Sequence, residues 1–396
     1  MSTPHDAVSA TSLLDTVRAL EPVIREHAPV AERERRLPAT VAHAIRDQGL
    51  FRMWRPKAFG GSETDPMTAF QVFEEVSRID SAAGWTLQLS CGVDAFGGWF
   101  PDRGAQEIFG ASDAILAGAF FPPRQAVPVD GGYRVTGRTP FVSGVDHCSW
   151  FIGLAHIHEN GAPRLWDSGD PVTLITACPI GNATIVENWQ TLGMRGTGSH
   201  DVMMCDVFVP EHHTALLVPL ENPGSAYRGP LYRFTAWAAV AALSTVATGI
   251  ARAAINDLIE LAATKSPSYT ATPLKDRGIV QAQIGRAEGA LGAARAFLYQ
   301  SLRETWNEAE KGLTIDMPHK TRLQLAATQA VAAAAEAVDL VQAASGTTGI
   351  REGRRFERYF RDVHTISQHG FISASRFESV GQLLLGVPVE WPFYGL

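Results

Sequence analysis

Two histidines near the C-terminal end of the sequence form a pattern that could do acid/base chemistry. His364 and His369 stand in the stretch ERYFRDVHTISQHG, beside the pair Arg361–Asp362. An unperturbed imidazole titrates at about pH 6.5, so it can donate or accept a proton around neutral pH. Two interpretations fit the pattern: a structural helix end with satisfied polar groups, or a helix that brings acid/base chemistry into a pocket.

The stretch GRTPFVSGVDHCSWF, residues 137–151, places a hydroxyl close to an aromatic ring at the end of a predicted strand. Ser143 could hydrogen-bond the edge of a cofactor ring while Phe141 packs on its face. The alternative is a β-turn in which serine and aspartate side chains bond their own backbone. Taken alone, the stretch favours the turn.

A glycine-rich loop, LGMRGTGSHDVMMCDVFVP at residues 192–210, precedes an alternating strand. It offers four polar side chains: Arg195, Thr197, Ser199 and Asp201. Such a loop can present backbone N–H groups to an anion or to the dipole of a flavin. No GxGxxG pattern followed by a helix occurs, so a Rossmann nucleotide site is not indicated. Taken alone, a structural loop is the more common outcome.

The stretch QAASGTTGIREGRRFERYFRDV, residues 342–363, predicts a helix end, a glycine turn and a new helix rich in arginine. Three arginines at spacings of four and three residues share one face of that helix: Arg354, Arg358 and Arg361. This face could be a solvated charged surface. It could also form a phosphate clamp near Gly346 and Gly349.

Three segments of different secondary structure must position these residues. Apolar residues have helical spacing from about residue 8 to 110, and short β-rich runs separated by turn residues follow from about 113 to 217. Long helices with seams of small residues return from about 231 to 386 and suit a four-helix bundle. We therefore predict an α+β fold with three domains: an N-terminal helical domain (1–112), a middle β-barrel or β-sandwich domain (113–225) and a C-terminal helical bundle domain (226–396).

The composition is that of an ordinary globular protein. The chain has 396 residues, 45% of them hydrophobic, and a formal net charge of −7. No basic cluster that could follow a phosphate backbone is present, so nucleic acid and anionic membranes are poor partners. The run FTAWAAVAALSTVATGIARAAI is broken by Gly249 and Arg252, and it predicts a buried bundle helix and not a membrane span.

The N-terminus and the cysteines indicate a cytoplasmic protein. The first twenty residues lack a basic segment followed by an unbroken apolar core, so no signal peptide is expected. Four cysteines are widely scattered and form no CxxC pair: Cys91, Cys148, Cys178 and Cys205. This spacing predicts reduced thiols and no metal site.

Four stretches together resemble the acyl-CoA dehydrogenase fold family. FVS at 141–143 stands where that family has a Trp-Ile-Ser/Thr flavin strand, and the loop at 192–210 resembles its Gly-x-Arg-x-(Ser/Thr)…Val-x-Val-Pro element. ASGTTGIREGRRFERYFRDV resembles its GGxGY…RxxRD segment, and VQAQIGRAEGALGAAR resembles its VQxxLADMxxxxxxAR helix. The resemblance covers nearly the whole chain in the same order and implies the same three-part fold.

One position departs from the dehydrogenases of this family. They usually carry a catalytic glutamate about eight residues after the RD pair, where this sequence has Gly370. Without a carboxylate base there, the removal of the α-proton from an acyl thioester lacks its catalyst. The alternative function, an acyl-CoA dehydrogenase, would need a glutamate from another helix.

The same departure matches a second branch of the family, the two-component flavin-dependent monooxygenases. AVPVDGGYRVTGRTPFVSGVDHCSWFIGLA resembles their GRWxFSSGxDHxxW element, and RDVHTISQH resembles their RDVHxxxxH. The resemblance implies an oxygenase component in which reduced FMN or FAD, supplied by a separate flavin reductase, reacts with O2 to a C4a-hydroperoxyflavin. The implied reaction is hydroxylation, or N- or S-oxidation, of a small and commonly aromatic substrate.

The resemblance also implies roles for individual residues. His369 matches the family's histidine on the substrate side of the flavin, and Ser143 matches its serine near the flavin N5, so both are predicted to be catalytic. His364 is expected to have a structural role or to support the site through a neighbouring side chain. The predicted cofactor-binding residues are Phe120, Phe121, Phe141, Val142, Ser143, Arg195, Thr197, Ser199, Gln342, Ser345 and Arg361.

The pocket, the identity of the flavin and the assembly follow from the same resemblance. Aromatic walls are expected to keep the pocket dry, although each is also a candidate for the core: Trp85, Phe96, Trp99, Phe120, Phe121 and Phe141. Arg354, Arg358, Gln342 and Ser345 could bind the pyrophosphate of FAD across a subunit interface. The usual RxxFG clamp before VQ is replaced by TPLKDRGIVQ, which makes FMN an alternative. The C-terminal bundle is expected to assemble a homotetramer.

Overall fold

The computed structural model describes residues 10–268, 270–389 and 391–395 of the chain. The described residues form helices, then strands, then helices again, which confirms the predicted α+β class. The N-terminal helices are α1 (Ala10–Glu34), α2 (Ala39–Asp47), α3 (Pro66–Ile79), α4 (Ser81–Val93) and α5 (Asp102–Phe109).

Aspartate caps fix where α3 and α4 begin. The carboxylate of Asp65 accepts the backbone N–H of Thr68 at 3.0 Å, and Asp80 accepts that of Ala83 at 2.9 Å. Each bond satisfies a donor that the first turn of a helix leaves free. Every residue of α4 except Leu89 is buried, as expected for a helix that is apolar nearly all round. Helix α4 therefore runs through the interior, where its side chains can face a site.

The middle of the chain is one mixed sheet. Its strands are β1 (Leu116–Gly118), β2 (Arg124–Val129), β3 (Gly132–Val142), β4 (Trp150–Glu159), β5 (Ala162–Pro163), β6 (Thr173–Pro179), β7 (Thr184–Val186), β8 (His200–Pro210) and β9 (Thr214–Leu216). The main path runs β7-β8-β3-β2-β4-β6-β9, with β1 and β5 pairing with β4. The long antiparallel pair of β3 and β8 brings the ends of the two glycine-rich stretches next to each other, with Val142 opposite His200.

The C-terminal helices share one hydrophobic core with the N-terminal helices. They are α6 (Thr235–Thr264), α7 (Gly278–Glu310), α8 (Met317–Ser345), α9 (Arg355–Ile366) and α10 (Ser375–Leu385). Helix α6 packs closely on α3, because a Cβ added at Gly249 would lie 2.5 Å from the carbonyl oxygen of Glu74. The core is continuous from α1 to α9 and includes residues of both helical segments.

Helix α6 is long and apolar enough to cross a membrane, which makes its burial informative. Over residues Ala236–Thr264, 89% of the most apolar window is buried inside the fold. A helix in the core of a globular protein can have the same length and the same apolar composition as a membrane span. The burial agrees with the bundle helix predicted from the sequence.

Candidate active site

A row of buried hydroxyl groups lies where β3 and the 192–199 loop meet. The Oγ of Ser143 lies 2.7 Å from the Oγ of Ser199, which in turn lies 2.6 Å from Oγ1 of Thr197. Thr197 donates to the carbonyl oxygen of Met194 at 2.9 Å. The structure thus brings together three of the predicted site residues, and all three are buried.

Trp85 on α4 joins this row to the predicted histidine. Its indole Nε1–H donates to the Oγ of Ser143 at 3.0 Å. The same indole meets the imidazole of His369 edge-on, with 5.3 Å between ring centroids and 74° between planes. Trp85 was predicted as a pocket wall, and the structure shows that it is also the contact between the two predicted catalytic residues. We call Trp85, Ser143, Ser199, Thr197 and His369 the Trp85 network.

His369 is a neutral imidazole in this environment. Burial lowers the pKa of its imidazole to about 4. Its Nδ1 accepts the backbone N–H of Phe371 at 3.4 Å, which places the ring proton of the neutral form on Nε2. We found no hydrogen bond to Nε2 from any described residue. The unperturbed pKa expected from the sequence therefore does not hold, because the sequence does not show how deeply the ring is packed.

His364 occupies a different environment, as expected. Its Nε2 pairs with Asp339 Oδ1 at 2.9 Å, and its ring lies 4.5 Å from that of Phe360. These contacts join α9 to α8 and leave the Trp85 network untouched. The geometry is that of a structural histidine.

Phe141 has an uncommon backbone conformation at the end of β3. Its φ is +62°, the left-handed region that a bulky residue rarely adopts, and the pairing of β3 with β8 shifts register at this point. The ring is 66% exposed and meets Trp189 edge-on at 6.1 Å. The neighbouring Val142 is fully buried in the sheet core, so only its backbone is available to a cofactor.

Asp362 of the RD pair is a buried anchor. Its carboxylate accepts the hydroxyl of Ser81 at 2.5 Å and the backbone N–H of Met194 at 2.6 Å. The 192–199 loop packs tightly on α9, since a Cβ at Gly193 would lie 2.2 Å from the carbonyl oxygen of Arg361. One carboxylate therefore ties α9 to the start of α4 and to the loop that carries Thr197 and Ser199.

Two of the three arginines on the predicted face pair with Glu32 of α1, a residue that the sequence did not single out. Glu32 pairs with Arg361 at 2.8 Å and with Arg358 and Arg195 at 3.4 Å each. Arg358 also pairs with Asp80 at 2.6 Å. Because carboxylates already bind them, Arg358 and Arg361 do not form the free phosphate clamp that we considered. Contacts of Arg361 and Arg195 with a cofactor stay predictions.

Gln342 and Ser345 lie at the end of α8, apart from the Trp85 network. Gln342 donates to the carbonyl oxygen of Gly349 at 2.9 Å, and its Oε1 is buried without a partner in the described chain. Lys265, which the sequence did not single out, donates to the carbonyl oxygen of Ser345 at 2.9 Å. The predicted roles of Gln342 and Ser345 in binding FAD stay predictions.

A second aromatic group surrounds the other predicted walls. The ring of Phe120 lies 4.5 Å from Phe96, which lies 5.7 Å from Trp99. Phe96 is buried, whereas the ring of Phe121 is more than half exposed. Phe120 is therefore packed into an aromatic cluster, and Phe121 is free to contact another molecule.

Aromatic residues of the C-terminal segment form a wall that the sequence analysis missed. Phe371 stacks on His369 at 5.7 Å and meets Trp391 and Phe393 at 5.2 and 5.1 Å. Phe393 lies 4.9 Å from Trp237 of α6. The signal was the density of aromatic residues in EWPFYGL, which contains three in six positions before the final leucine.

A cluster of possible metal ligands lies on another part of the surface. His213 and His212 direct Nε2 at Oε2 of Glu107, at 2.7 and 3.2 Å, and Arg103 donates to the other oxygen at 2.9 Å. The ligand atoms lie within 4.8 Å of one another. These hydrogen bonds occupy Nε2 of both histidines and both oxygens of Glu107, whereas Nδ1 of His213 is buried without a partner. The cluster shares no contact with the Trp85 network among the described residues.

The Trp85 network has the features that a flavin ring requires. An isoalloxazine presents flat apolar faces and a polar edge of nitrogen and oxygen atoms. Phe141 and Leu192 are exposed apolar side chains on the two segments that carry the buried hydroxyls of Ser143 and Ser199. The residues thus fit the group: aromatic and aliphatic side chains for its faces, and hydroxyls for its edge.

Comparison with known proteins places the chain in a family. Residues 9–97 match "Acyl-CoA dehydrogenase, N-terminal domain", and residues 241–374 match "Acyl-CoA dehydrogenase, C-terminal domain". The chain is 32% identical to an indole-3-acetate monooxygenase of Pseudomonas putida over 92% of its length and 91% of that protein. It is 25% identical to the flavin-dependent monooxygenase oxygenase subunit HsaA of Rhodococcus jostii, over 94% and 97% of the two chains.

Solved structures give the same result. XiaF from Streptomyces sp., in complex with FADH2 and glycerol, superposes with a TM-score of 0.88 at 28% identity over 97% of each chain. FMN-bound TdsC from Paenibacillus sp. A11-2 has the same fold, with a TM-score of 0.79 at 20% identity over 97% of this chain and all of that one. These relatives favour the monooxygenase prediction over the acyl-CoA dehydrogenase alternative. The chain belongs to the flavin-dependent monooxygenases of the acyl-CoA dehydrogenase fold, as an oxygenase component that uses reduced flavin supplied by a separate reductase.

Proposed function

We propose that this oxygenase component transfers one oxygen atom to a small planar aromatic substrate held against His369. The observation that carries the proposal is the aromatic enclosure of that imidazole. Trp85 meets it edge-on, and Phe371 stacks on it with 26° between ring planes. Trp391 and Phe393 extend the enclosure beyond Phe371. Aromatic walls favour a planar aromatic ligand through offset and edge-to-face contacts.

The chain's own residues can supply the proton control that such a reaction needs. Reduced flavin, when bound, provides two electrons with which one atom of O2 enters the substrate and the other leaves as water. The hydroxyls of Ser143 and Ser199 would hold the polar edge of the flavin, and the aromatic walls would exclude bulk water. The Nε2–H of neutral His369 would donate to the reacting oxygen or to a substrate hydroxyl.

Relatives named for aromatic substrates support the aromatic class. The Pseudomonas putida relative is named for indole-3-acetate, and another from Rhizobium sp. is an FADH2-dependent resorcinol hydroxylase oxygenase component, 28% identical over 56% of this chain. Both substrates are planar and aromatic. Hydroxylation of an aromatic carbon is therefore the reaction that we propose first.

We also propose that the enzyme works as a homotetramer in the cytoplasm. Ile350, Leu384 and Leu385 are large apolar side chains that the single chain leaves strongly exposed at its C-terminal helices. Such a group marks a surface for association. All four cysteines are free thiols, which suits a reducing compartment. Size-exclusion chromatography with light scattering tests the assembly, and a monomeric mass would contradict it.

The function is tested by coupling the purified protein to a flavin reductase and NADH under 18O2. We expect an aromatic panel of phenols and indoles to contain at least one substrate that gains a single 18O atom. The protein without reductase should not turn over with NADH. Reduction of a bound flavin by an acyl thioester, or absence of 18O in every product, would contradict the proposal.

A further inference from the structure

Arg376 at the start of α10 has donor groups that nothing in the described chain uses. Its guanidinium carbon lies 4.0 Å from the centroid of the Trp391 ring, a cation–π contact. Its Nε and Nη1 are buried without hydrogen-bond partners, and only Nη2 has one, the Oγ of Ser375 at 3.2 Å. Buried N–H groups without acceptors are costly, so an acceptor for Nε and Nη1 is expected.

Two more side chains of the same region, Trp391 and Tyr394, each carry a buried donor that has no acceptor. Nε1 of Trp391 and Oη of Tyr394 are both buried, and neither has a partner among the residues that the structure describes. Tyr394 lies close enough to Arg376 for the guanidinium charge to oppose the effect of burial, which raises the pKa of the phenol to about 12. The phenol is therefore a proton-bearing donor at neutral pH.

This group of donors is continuous with the enclosure of His369. Trp391, which carries the guanidinium on its face, meets Phe371 edge-on at 5.2 Å. Phe371 in turn stacks on His369 at 5.7 Å. A ligand that lies along these rings with one end at the imidazole would direct its other end toward Arg376.

The chemistry of the group selects one class of ligand. A guanidinium N–H and an indole N–H can only donate, and a phenol whose pKa is raised to about 12 keeps its proton for donation. Burial lowers the pKa of Arg376, and the charge of the exposed Glu378 partly opposes that effect, but no ion pair joins Glu378 to Arg376 in the described chain. Four unsatisfied donor atoms on three side chains, one of them positively charged, favour an acceptor that carries negative charge, and a carboxylate supplies it.

We propose that Arg376, with Trp391 and Tyr394, binds the carboxylate of the substrate, and that the substrate is an aromatic carboxylic acid. The proposal rests on the aromatic oxygenation proposed above and narrows its substrate class. Arg376 determines specificity here: it holds the end of the substrate away from the reacting ring carbon and takes no part in oxygen transfer.

The experiment compares a matched pair of probes, indole-3-acetate and indole-3-acetamide, which differ only in the charged group. Binding to the flavin-free protein is measured by calorimetry, so the result does not depend on turnover. We expect the wild type to bind the acid about 10- to 100-fold more tightly than the amide, the usual range for a hydrogen bond to a charged group. Equal binding of acid and amide would overturn the proposal.

Substitutions at Arg376 test whether the preference for the acid depends on the guanidinium group. Arg376→Met should remove the preference for the acid and leave amide binding within about twofold, while Arg376→Lys should keep part of the preference because it keeps the charge. Arg322→Met is the matched control, since Arg322 also lies over an aromatic ring, Phe297, but is paired with Glu304. It should bind both probes as the wild type does. Retention of the acid preference in Arg376→Met would contradict the assignment.

The two proposals can fail separately. If the acid binds through Arg376 but no aromatic compound is oxygenated, the binding site stands and the reaction class is wrong. If aromatic compounds are oxygenated without regard to charge, the reaction stands and the role of Arg376 is wrong.

Discussion

The indole nitrogen of Trp85 donates to the hydroxyl of Ser143 across 3.0 Å, and the same indole packs edge-on against the imidazole of His369. One side chain of a buried helix therefore sets the position of a residue from the sheet and of another from the C-terminal helices. The side chains proposed to face the flavin edge and the substrate are in this way held by one indole ring. Changes at Ser143 and at His369 are expected to be coupled, since both act on Trp85.

His369 should be needed for oxygen transfer. Replacing it by alanine removes general acid/base assistance, which is commonly worth about 100- to 10,000-fold in rate. We expect His369→Ala to lower product formation by that order while the protein stays folded. His364→Ala, which breaks only the contact with Asp339, is the control and should affect stability more than rate. A near wild-type rate for His369→Ala would remove this residue from the mechanism.

The low pKa of His369 predicts a dependence of stability on pH. The folded pKa, about 4, lies below the value of about 6.5 that an unfolded chain would have. Between these values the unfolded state binds more protons, so the folded state loses stability as pH falls from about 6.5 to 4. We expect the Tm of the wild type to fall more steeply through this window than that of His369→Gln. Parallel curves would show that the ring is not packed as described.

Ser143 should control how efficiently oxygen reaches the substrate. Removing its hydroxyl leaves the Trp85 indole N–H without an acceptor. It also removes one of the hydroxyls that we propose for the flavin edge. We expect Ser143→Ala to lower the ratio of hydroxylated product to released H2O2. Both products are measured in the reductase-coupled assay, with Ser168→Ala, on an exposed loop, as the control. If the ratio is unchanged, "FVSG" is only a structural turn.

We expect the ring of Phe141 to strengthen flavin binding and its backbone conformation to lower the stability of the fold. A residue with a side chain costs about 1–2 kcal/mol in the left-handed conformation, and glycine avoids that cost. Phe141→Gly and Phe141→Ala both lose the ring, and both should bind reduced flavin more weakly. The glycine variant should be more stable than the alanine variant by about 1 kcal/mol in urea unfolding. Equal stability of the two variants, or unaltered flavin affinity, would contradict the role given to this residue.

Asp362 should be required for the position of the 192–199 loop. Asp362→Ala leaves the hydroxyl of Ser81 and the N–H of Met194 without their acceptor, and it should destabilise the fold by about 2–5 kcal/mol. Flavin affinity should fall as well, even at temperatures where the variant is folded, because Thr197 and Ser199 lie on that loop. Asp339→Ala, which removes an exposed carboxylate, is the control. Unchanged flavin affinity in folded Asp362→Ala would show that the loop holds its shape without this anchor.

Much of the fold could be predicted from local patterns. Helical and alternating spacings predicted the order of the segments. The motifs singled out Ser143, Thr197 and Ser199, which the structure places in one row of hydroxyl groups. These features depend on residues close in sequence or on strands that pair directly, such as β3 with β8.

Other features of the site depend on contacts between distant parts of the chain. Glu32 lies more than three hundred residues before Arg358 and Arg361, and no spacing indicates that it would neutralise both. The lowered pKa of His369 is a property of burial, which tertiary packing decides. The aromatic wall from Phe371 to Trp391 needs the C-terminal segment to fold back, and a turn of that kind leaves little trace in periodicity.

Gly370, at the position where dehydrogenases of this fold family usually carry their catalytic glutamate, lies in open space. A Cβ added at Gly370 would meet no atom within 4 Å, whereas Asp362, eight residues earlier, is buried and tightly bonded. The bonds that hold Asp362 therefore do not involve residue 370, the position at which dehydrogenases of the family usually carry their base. The first carbon of a side chain at residue 370 therefore meets no steric barrier, so this position can change without disturbing the bonds that Asp362 makes.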